Sequence, residues 1–315
     1  PLGDSTTTSI SATSSNVDIK LPVSSLVVMS STHMAFLEKL NESHLIKGVT
    51  EAAYIVSSGI REGLKSNTIK EVGRNGMVDT EKILSIKPDL IIAVDFNGQV
   101  DPQLLFLKKS GIPVVACNEW MEQSPIGRAE WIKFFGVITG NYSKAKNIFN
   151  DIKSSYDSIA GIFNDTIQRK SVMLNMPYKD NWHVPGSQNY LSNLIQDAGG
   201  KFLWEPNNKS NSFVLNFETA YQIGTEAEYW LHTGFTKNIE DILSYDQRFA
   251  DFKAIQTGKV YNNTKITNSM GGNAFYETGV VEPHLILKDI LTILHPQYVN
   301  NHSLKYYLKI NDSIQ

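Results

Sequence analysis

The chain has 315 residues, a hydrophobic fraction of 41% and a formal net charge of −3, which are the values of a globular protein with one or two domains. No basic stripe accompanies this charge, so the sequence argues against nucleic acid as a partner. The longest apolar runs, Leu90 to Val94 and Ile112 to Ala116, are far too short to span a bilayer.

The chain begins with two segments that are not predicted to fold. Pro1-Leu2-Gly3-Asp4 has the form of a scar left by protease removal of a purification tag, and we expect any native signal sequence or lipidated cysteine to have gone with it. Ser5 to Asn16 consists almost entirely of Ser and Thr, which is typical of a flexible tether. Residues 1–20 are therefore predicted to lie outside the folded domains.

The first half alternates strands with helices. Leu26 to Ser30 is a short β-rich run, the loop Ser31 to His33 follows it, and Met34 to Leu40 has a helical pattern. Short continuous apolar runs are typical of strands buried on both faces of a parallel sheet, so this alternation predicts a parallel α/β lobe. The other elements predicted here are strand Ala53 to Ser57, helix Thr80 to Ser85, strand Leu90 to Val94, helix Leu104 to Lys109, strand Ile112 to Cys117 and a helix from Ser124 to Ile138.

One long helix is predicted from Asn141 to Thr166. Its apolar residues recur at steps of three and four, its other face is charged, and no proline interrupts it. At about 1.5 Å per residue it would extend over roughly 35 to 40 Å, more than a small lobe needs for its own core. The helix is therefore predicted to be the single connection between two lobes.

The order of elements restarts after the long helix. Glu218 stands ahead of a helix and a strand just as Glu81 does in the first half, so we predict a duplicated architecture. The predicted organisation is a tether at 1–20, an N-terminal lobe at 21–140, an interlobe helix at 141–168 and a C-terminal lobe at 169–315. The elements predicted in the second half are strand Val172 to Asn175, helix Tyr190 to Asp197, helix Phe217 to Ile223, strand Glu228 to His232, helix Ile239 to Leu243, strand Lys259 to Asn262 and a C-terminal helix starting at Pro283.

The ordered series of motifs resembles a known family, the periplasmic or lipoprotein substrate-binding proteins of ABC importers for cobalamin, ferric siderophores and haem. The resemblance covers nearly everything after the tether. It rests on Ser30-Ser31-Thr32, Gly76 through Ile83, Lys87 through Ala93, Gly111-Ile112-Pro113-Val114, Gly186 to Gly200 and Glu282 to Pro296.

The resemblance implies two Rossmann-like α/β lobes joined by one long rigid helix, with the ligand in the interlobe cleft. It implies a largely preformed cleft, a periplasmic location with a lipid anchor as the only membrane contact, a monomer, and no cofactor apart from the transported ligand. The family carries one exposed glutamate on each lobe that docks into arginine pockets of the inner-membrane ABC permease, and Glu81 and Glu218 match these positions. Taken singly, each is also an ordinary first-turn glutamate favoured by the helix dipole.

Candidate ligand-binding residues lie in the loops that follow the carboxyl ends of the predicted strands. These loops are rich in aromatic residues, which can stack on a large conjugated ligand, although any one of them could also pack in the core or at a rim. The predicted set is Ser31, Thr32, His33, Tyr54, Arg61, Phe96, Trp120, Tyr178, Trp182, His183, Phe235 and Phe275.

Charge favours one ligand class over the others. Anionic siderophores call for several basic groups, whereas these loops offer Arg61 and Lys179, with Arg74 as a further candidate. A nearly neutral aromatic cleft suits a metal chelate such as cobalamin or another corrinoid, and ferric siderophore or haem binding remains the alternative. His33, His183 or His232 could ligate the metal of haem or a corrinoid, but a loop histidine more often only forms hydrogen bonds.

Other functional classes lack their signatures. No nucleophile elbow, phosphate-binding glycine loop, His-Glu-x-x-His or Cys-His pair is recognisable, so no catalytic residue is assigned, and a chelatase-like enzyme acting on a tetrapyrrole is the less favoured reading. Cys117, the sole cysteine, is predicted to be a buried free thiol, which excludes an intrachain disulfide and a cysteine-based metal site. A subunit importing bare zinc would need converging His and acidic ligands, and the chain has no His-rich loop.

Overall fold

The computed structural model describes residues 19–94, 101–163, 167–179, 181–204 and 210–311. It forms two compact units, each with its own mostly parallel sheet. Unit 1 comprises the residues up to Met121 together with Ala129–Asp151 and Thr267–Val281. Unit 2 comprises Glu122–Arg128, Ile152–Ile266 and the residues from Glu282 onward.

The elements as far as residue 160 begin with a strand and a helix and continue in alternation. They are β1 Leu26–Val28, α1 Ser31–Lys39, β2 Ile46–Thr50, α2 Ser58–Lys65, β3 Lys70–Arg74, β4 Met77–Val78, α3 Thr80–Ile86, β5 Leu90–Ala93, α4 Pro102–Lys109, β6 Val114–Ala116, α5 Pro125–Glu130, α6 Ile132–Ile138 and α7 Tyr142–Ala160. Short 3-10 helices lie at Ser43–Leu45, Ala52–Tyr54 and Glu119–Met121.

Unit 1 is built around the sheet β4-β3-β2-β1-β5-β6, in which only β4 runs antiparallel. β1 lies in the centre, pairing through Val28 with Val49 on one side and with Ile92 on the other. β1 and β5 are buried along their whole length, as the continuous apolar runs predict. Helices α3 and α4 cover one face of this sheet with Ile83, Leu104 and Leu107.

The elements after residue 160 repeat this alternation. They are β7 Lys170–Leu174, β8 Asn181–Val184, α8 Tyr190–Asp197, β9 Gly200–Lys201, β10 Phe213–Asn216, α9 Phe217–Glu226, β11 Tyr229–Leu231, α10 Ile239–Tyr245, α11 Lys253–Gln256, β12 Val260–Asn262, α12 Pro283–Leu294 and β13 Leu308–Lys309. Further 3-10 helices lie at Gln247–Asp251, Thr278–Val281 and Pro296–Tyr298.

Unit 2 is built around the sheet β13-β12-β11-β7-β9, and β8 and β10 form a separate antiparallel pair. Its core includes a cluster of stacked aromatic rings, in which Trp182 lies 6.2 Å from Phe252 and 5.9 Å from Trp230 between ring centroids. The carboxylate of Asp289 on α12 is fully buried and accepts hydrogen bonds from the backbone N–H groups of Lys305 and Tyr306 at 2.9 and 2.6 Å. This carboxylate fastens the segment that leads into β13.

Four central parallel strands have the same order in the two sheets, which confirms the predicted duplication. These four strands are β2-β1-β5-β6 in unit 1 and β9-β7-β11-β12 in unit 2, and the central pairs are β1-β5 and β7-β11. The helix that precedes the second central strand starts in the same way in both units, with Asp79 capping α3 and Asn216 capping α9. The two units are therefore two versions of one parallel α/β arrangement.

Helix α7 starts in unit 1 and ends in unit 2, as the prediction of a connecting helix requires. It is shorter than predicted, because it ends at Ala160 and a turn follows at Gly161. It is also not the single connection: residues 267–281 follow the second half in sequence but pack in unit 1, while residues 122–128 pack in unit 2. The continuous lobes predicted at 21–140 and 169–315 thus differ from the two units.

Several local predictions need correction. The second strand is Ile46–Thr50, and the segment predicted as a strand from Ala53 forms a 3-10 helix instead. The helix predicted from Ser124 to Ile138 is two helices, α5 and α6, that meet at Trp131. Across the part of the chain described, no helix is both long enough and apolar enough to cross a bilayer.

Candidate functional site

A cavity of about 550 Å³ opens at the carboxyl edge of the unit 1 sheet, beside the ends of β1, β2 and β5. This is where parallel α/β sheets bind ligands, because the chain turns to opposite sides after the two central strands. Most of the lining is apolar, and among the described lining residues the only ionisable side chains are the carboxylates of Glu51 and Asp101. The apolar side chains are those of Met29, Met77, Val78, Val94, Pro102 and Leu104.

Carboxylates hold the backbone on one side of this cavity. Glu51 has a left-handed backbone with φ 53°, and its Oε1 accepts a hydrogen bond of 2.9 Å from the N–H of Gly76 in the β3–β4 turn. Glu71 binds the guanidinium of Arg74 through both oxygens, at 3.2 and 2.5 Å, and this carboxylate raises the pKa of Arg74. Arg74, a candidate cation in the sequence, is thus already paired.

The loop that carries Tyr54 is held by residues 267–281. Asn268 Nδ2 donates to the carbonyls of Ala53 and Ile55 at 2.9 and 3.1 Å. The carboxylate of Glu277 accepts the N–H groups of Val56 and Ser57, both at 2.8 Å. The Tyr54 ring, 51% exposed, is therefore presented by a fixed loop.

Gly272 belongs to the same contact. A Cβ at this position would lie 2.0 Å from the carbonyl oxygen of Tyr54, a separation that requires the backbone to move. The close approach therefore requires glycine. It sets how near the segment 267–281 lies to the Tyr54 loop.

Unit 1 also exposes large apolar side chains in the loops at this edge. Trp120 follows β6 and is 42% exposed, and Tyr276, which lies in the segment 267–281 beside the Tyr54 loop, is 61% exposed. Three methionines join them: Met77, Met121 and Met270. Flexible thioethers and aromatic rings together suit a large apolar ligand face.

A buried polar cluster lies behind Trp120. His33 Nε2 is 3.3 Å from Glu119 Oε2 and 3.2 Å from the carbonyl oxygen of Cys117, and all three residues are buried. Thr32 Oγ1 donates to Glu119 Oε1 at 2.5 Å. Burial alone would raise the pKa of Glu119, but the hydrogen bonds from His33 and Thr32 have the larger effect, and the pKa lies below its ordinary value. Burial, with the charge of Glu119, raises the pKa of Cys117, so the predicted buried free thiol is confirmed.

Unit 2 exposes two aromatic residues in the loops at the carboxyl edge of its own sheet. Tyr178 follows β7 and is 68% exposed, and its loop is held by Tyr245 Oη, which donates to the Pro177 carbonyl at 2.8 Å. Phe235 follows β11 and is 83% exposed. Its turn is held by Asn262 Nδ2, which donates to the Gly234 carbonyl at 2.6 Å. Both rings are presented by ordered loops.

His232 lies directly below the Phe235 turn. Its Nε2 is 2.6 Å from Tyr307 Oη, its backbone has φ 62°, and burial lowers its pKa to about 3. The unfolded chain binds a proton here from pH 6.5 downwards and the folded chain does not, so this group stabilises the fold above pH 6.5. That contribution is lost as the pH falls towards 3.

We therefore expect His232→Asn to flatten the pH dependence of stability. Asparagine tolerates the left-handed backbone, so the variant should fold. Because it lacks the imidazole, it should be less stable than the parent at pH 7 and approach the stability of the parent near pH 4. Urea denaturation at pH 7, 5.5 and 4 measures the difference. An equal difference at all three values would contradict the assignment, and His183→Asn, a change at an exposed histidine, is the matched control.

The structure separates the predicted ligand-binding residues into two groups. Tyr54, Trp120, Tyr178 and Phe235 are exposed in loops that follow the strands, Arg61 on α2 and His183 on β8 are exposed, and Ser31 and Thr32 are half-buried at the start of α1. Phe96 lies outside the described residues. His33, Trp182 and Phe275 are buried.

Trp182 is the clearest correction. Its ring has no exposed surface, and its Nε1 donates to the Leu174 carbonyl at 2.7 Å. It belongs to the aromatic core of unit 2 because β8 alternates exposed Asn181 and His183 with buried Trp182 and Val184. Phe275, at 4% exposure, and His33, at 0%, are likewise held in the interior and do not offer a surface to a ligand.

The exposed methionines at the edge of unit 1 were not predicted from the sequence. Met77 is 68% exposed and follows Asn75 and Gly76, which have φ values of 53° and 74°. An Asn-Gly pair with positive φ at both positions is the strongest short-range hairpin signal, and it would have located the β3–β4 turn.

Glu81 and Glu218 occupy equivalent places. Each lies exposed in the first turn of the helix that precedes the second central strand, α3 in unit 1 and α9 in unit 2. Such a helix runs antiparallel to the strand that follows it, so its first turn lies at the carboxyl edge of its sheet. Arg248 is close enough for the charge of Glu218 to contribute to the raised pKa of this guanidinium, after its main partner Asp246.

Two mostly parallel α/β units, each with exposed aromatic rings at its strand ends, have the architecture expected of a solute-binding protein. Residues 26–267 match the family described as periplasmic binding protein, and the chain belongs to this family. It is therefore a solute-binding protein and not an enzyme, which removes the chelatase-like alternative.

A relative with a similar sequence is the uncharacterized lipoprotein MJ0878 of Methanocaldococcus jannaschii. It is 25% identical over 303 residues, which cover 93% of this chain and 70% of the relative.

Solved structures with the same fold include three binding proteins. The periplasmic heme binding protein HutB of Vibrio cholerae has a TM-score of 0.67 and 17% identity, with 86% of this chain and 99% of that chain covered. The triscatecholate siderophore binding protein FeuA of Bacillus subtilis, complexed with ferri-bacillibactin, has a TM-score of 0.64 and 16% identity, with 90% and 98% covered. The periplasmic vitamin B12 binding protein BtuF of Vibrio cholerae has a TM-score of 0.59 and 13% identity, with 89% and 99% covered.

Proposed function

We propose that this chain is the substrate-binding protein of an ABC importer, and that it captures a corrinoid such as cobalamin and delivers it to the permease. The observation that carries the choice of ligand is the cavity of unit 1. Its described lining is apolar apart from Thr50, Gly76 and the two carboxylates, and it contains no cation.

The charge at the strand ends separates the candidate ligands. A ferric tricatecholate carries a net negative charge and requires several free basic groups, preferably arginines. Glu51 and Asp101 would repel it, and Arg74 is already bound by Glu71. A corrinoid has a large apolar face, amide side chains that donate hydrogen bonds, and no strong negative charge, so the same surface suits it.

The exposed rings supply the second part of the argument. Unit 1 exposes Tyr54, Trp120 and Tyr276 at its strand ends, and unit 2 exposes Tyr178 and Phe235. Stacking on a macrocycle buries a large apolar area on each ring. Side-chain hydrogen bonds to the backbone beside Tyr54, Tyr178 and Phe235 limit the entropy that these residues lose on binding. His33 is buried and takes no part in ligation of the corrinoid metal.

Delivery to the permease rests on the paired glutamates. Glu81 and Glu218 are exposed at equivalent positions of the two units, and a carboxylate can bind an arginine through both oxygens. Two such pairs fix the orientation of docking as well as its affinity. We place the protein, as a monomer, outside the inner membrane of its cell and propose a lipid anchor, in keeping with a relative named as a lipoprotein.

Isothermal titration with cobalamin, haemin, a ferric tricatecholate and ferric citrate tests the ligand. We expect saturable binding of cobalamin, weakened about 5- to 30-fold by Tyr54→Ala or Trp120→Ala, because each change removes about 1–2 kcal/mol of buried aromatic contact. Tyr142→Ala is the matched control. Tyr142 is 48% exposed at the start of α7, next to Asn141, which donates to Glu42 at the opposite, amino edge of the unit 1 sheet.

The other outcomes have defined meanings. Saturation by a ferric siderophore alone, or by haemin alone, would overturn the corrinoid assignment and leave the class of binding protein intact. Unchanged cobalamin affinity in both variants would contradict the proposed surface.

A further inference from the structure

Three side chains of unit 1 converge although they are far apart in sequence. His33 lies in the first turn of α1, while Cys117 and Glu119 follow β6. One donor atom from each residue, the imidazole nitrogen, the thiol sulfur and a carboxylate oxygen, lies within 4.8 Å of the other two. Each of the three residues is buried.

The distances between these atoms are those of ligands around a small cation. His33 Nε2 is 3.3 Å from Glu119 Oε2, and Cys117 Sγ is 3.6 Å from the same oxygen. Bond lengths of about 2.0–2.1 Å for nitrogen and oxygen and about 2.3 Å for sulfur place tetrahedral ligands roughly 3.3 to 3.6 Å apart. Two edges of the triangle formed by His33, Cys117 and Glu119 already have these lengths.

The surroundings supply what a metal centre needs. The carbonyl oxygen of Cys117 lies 3.2 Å from His33 Nε2 and could serve as the fourth metal ligand. Thr32 Oγ1 holds the other carboxylate oxygen of Glu119, which orients the ligand oxygen as outer hydrogen bonds commonly do. His33 Nδ1 has no hydrogen-bond partner among the described residues, so it can carry the imidazole proton when Nε2 binds a metal.

We propose that His33, Cys117 and Glu119 form a binding site for a divalent transition cation of the zinc type. Nitrogen, sulfur and carboxylate donors together select Zn²⁺ and its congeners over Mg²⁺ or Ca²⁺, which prefer oxygen alone. On binding, the S–H bond of Cys117 breaks and its proton leaves to solvent, while the sulfur lone pair forms the bond to the metal. The site lies in the interior and is distinct from the proposed corrinoid surface, although Glu119 is the chain neighbour of Trp120.

A site with one cysteine ligand differs from the expectation that the chain has no cysteine-based metal site. A single cysteine excludes a site with several thiolates, but the fold adds a histidine 84 residues away and a carboxylate two residues away. The 3-10 helix Glu119–Met121 is the short element next to the site, and Trp120 and Met121 within it are exposed. Local opening of this turn provides an entry path.

Cobalt substitution tests the site directly. Addition of Co²⁺ to the metal-free protein should produce a thiolate-to-cobalt charge-transfer band in the near ultraviolet, and Zn²⁺ should abolish it at one equivalent. Because Cys117 is the only cysteine in the chain, the band reports this site alone. One proton per bound ion should appear in a weakly buffered solution, because the thiol must ionise.

Variants separate the site from adventitious binding. Cys117→Ser should remove the band and the rise in thermal stability that Zn²⁺ gives the parent. His33→Asn should lower the affinity for Co²⁺ and Zn²⁺ at least tenfold. His44→Asn, a change at a histidine that is 70% exposed, should leave the band and the rise in stability intact. A folded parent protein that develops no band, or that Zn²⁺ stabilises no more than it stabilises Cys117→Ser, would overturn the proposal.

Discussion

Transport should fall to background when Glu81 and Glu218 are both replaced by Arg, while ligand affinity stays unchanged. In the proposed docking, each reversal replaces a bidentate pair with a permease arginine by a like-charge contact, which costs several kcal/mol at a desolvated interface. Both glutamates are exposed in the first turns of α3 and α9, and neither lines the described cavity of unit 1. Uptake by cells or by reconstituted importer measures the loss, and calorimetry with the purified variant measures affinity.

Matched reversals distinguish docking from a general effect of charge. Glu62→Arg on α2 and Glu226→Arg at the end of α9 make the same change at exposed glutamates, and their double variant should retain uptake. Each single reversal at Glu81 or Glu218 should give an intermediate rate, because one pair remains. Normal uptake by the Glu81, Glu218 double variant would refute the docking proposal.

Removal of the Asp289 carboxylate should destabilise the protein by about 3–5 kcal/mol, the range for breaking a buried charged network. Its oxygens accept the N–H groups of Lys305, Tyr306 and Tyr307 and are 2.6 Å from His302 Nε2. Asp289→Ala leaves these donors buried without an acceptor, and the segment leading into β13 loses its anchor. Chemical denaturation followed by tryptophan fluorescence gives the change in unfolding free energy.

Asp157→Ala is the control for this measurement. Asp157 pairs with Lys153 one turn away on the exposed face of α7, and such pairs contribute about 0.3–0.5 kcal/mol. If Asp289→Ala does not accumulate as folded protein, Asp289→Asn keeps one acceptor oxygen and should show a smaller loss. A loss below about 1 kcal/mol for both variants would contradict the anchoring role.

Much of the fold could be predicted from sequence because central parallel strands are buried on both faces. Leu90–Ala93 is continuous and apolar for that reason, and it was located correctly. β2 was missed because Lys47 and Gly48 interrupt its apolar run. In the structure Lys47 is half-buried and Gly48 is buried within the strand. A Cβ on Gly48 would lie 3.0 Å from side chains of Val27 and Val72, so the glycine reflects tight packing between neighbouring strands and not a turn.

The candidate site was less predictable, because exposure depends on contacts between distant residues. Tyr54 and Phe235 follow strands and are exposed, as expected, whereas Trp182 is buried by Phe249 and Phe252, which lie about seventy residues further on. His33 is buried because Glu119, 86 residues away, accepts its hydrogen bond. Only the alternation of β8 between exposed and buried positions contained a local signal, and it correctly places Trp182 inside.

The segment 267–281 has a consequence for how the molecule is made. Glu277 binds the N–H groups of Val56 and Ser57 across 221 and 220 positions of sequence, and Asn268 binds the carbonyls of Ala53 and Ile55 across a similar distance. These contacts cannot form on the ribosome until residues 267–281 have been synthesised, which is more than 200 residues after the Tyr54 loop that they hold. Unit 1 therefore starts to fold before unit 2 but is completed after most of unit 2 has emerged. The Tyr54 loop therefore reaches its final conformation only after residues 268 and 277 have been added to the chain.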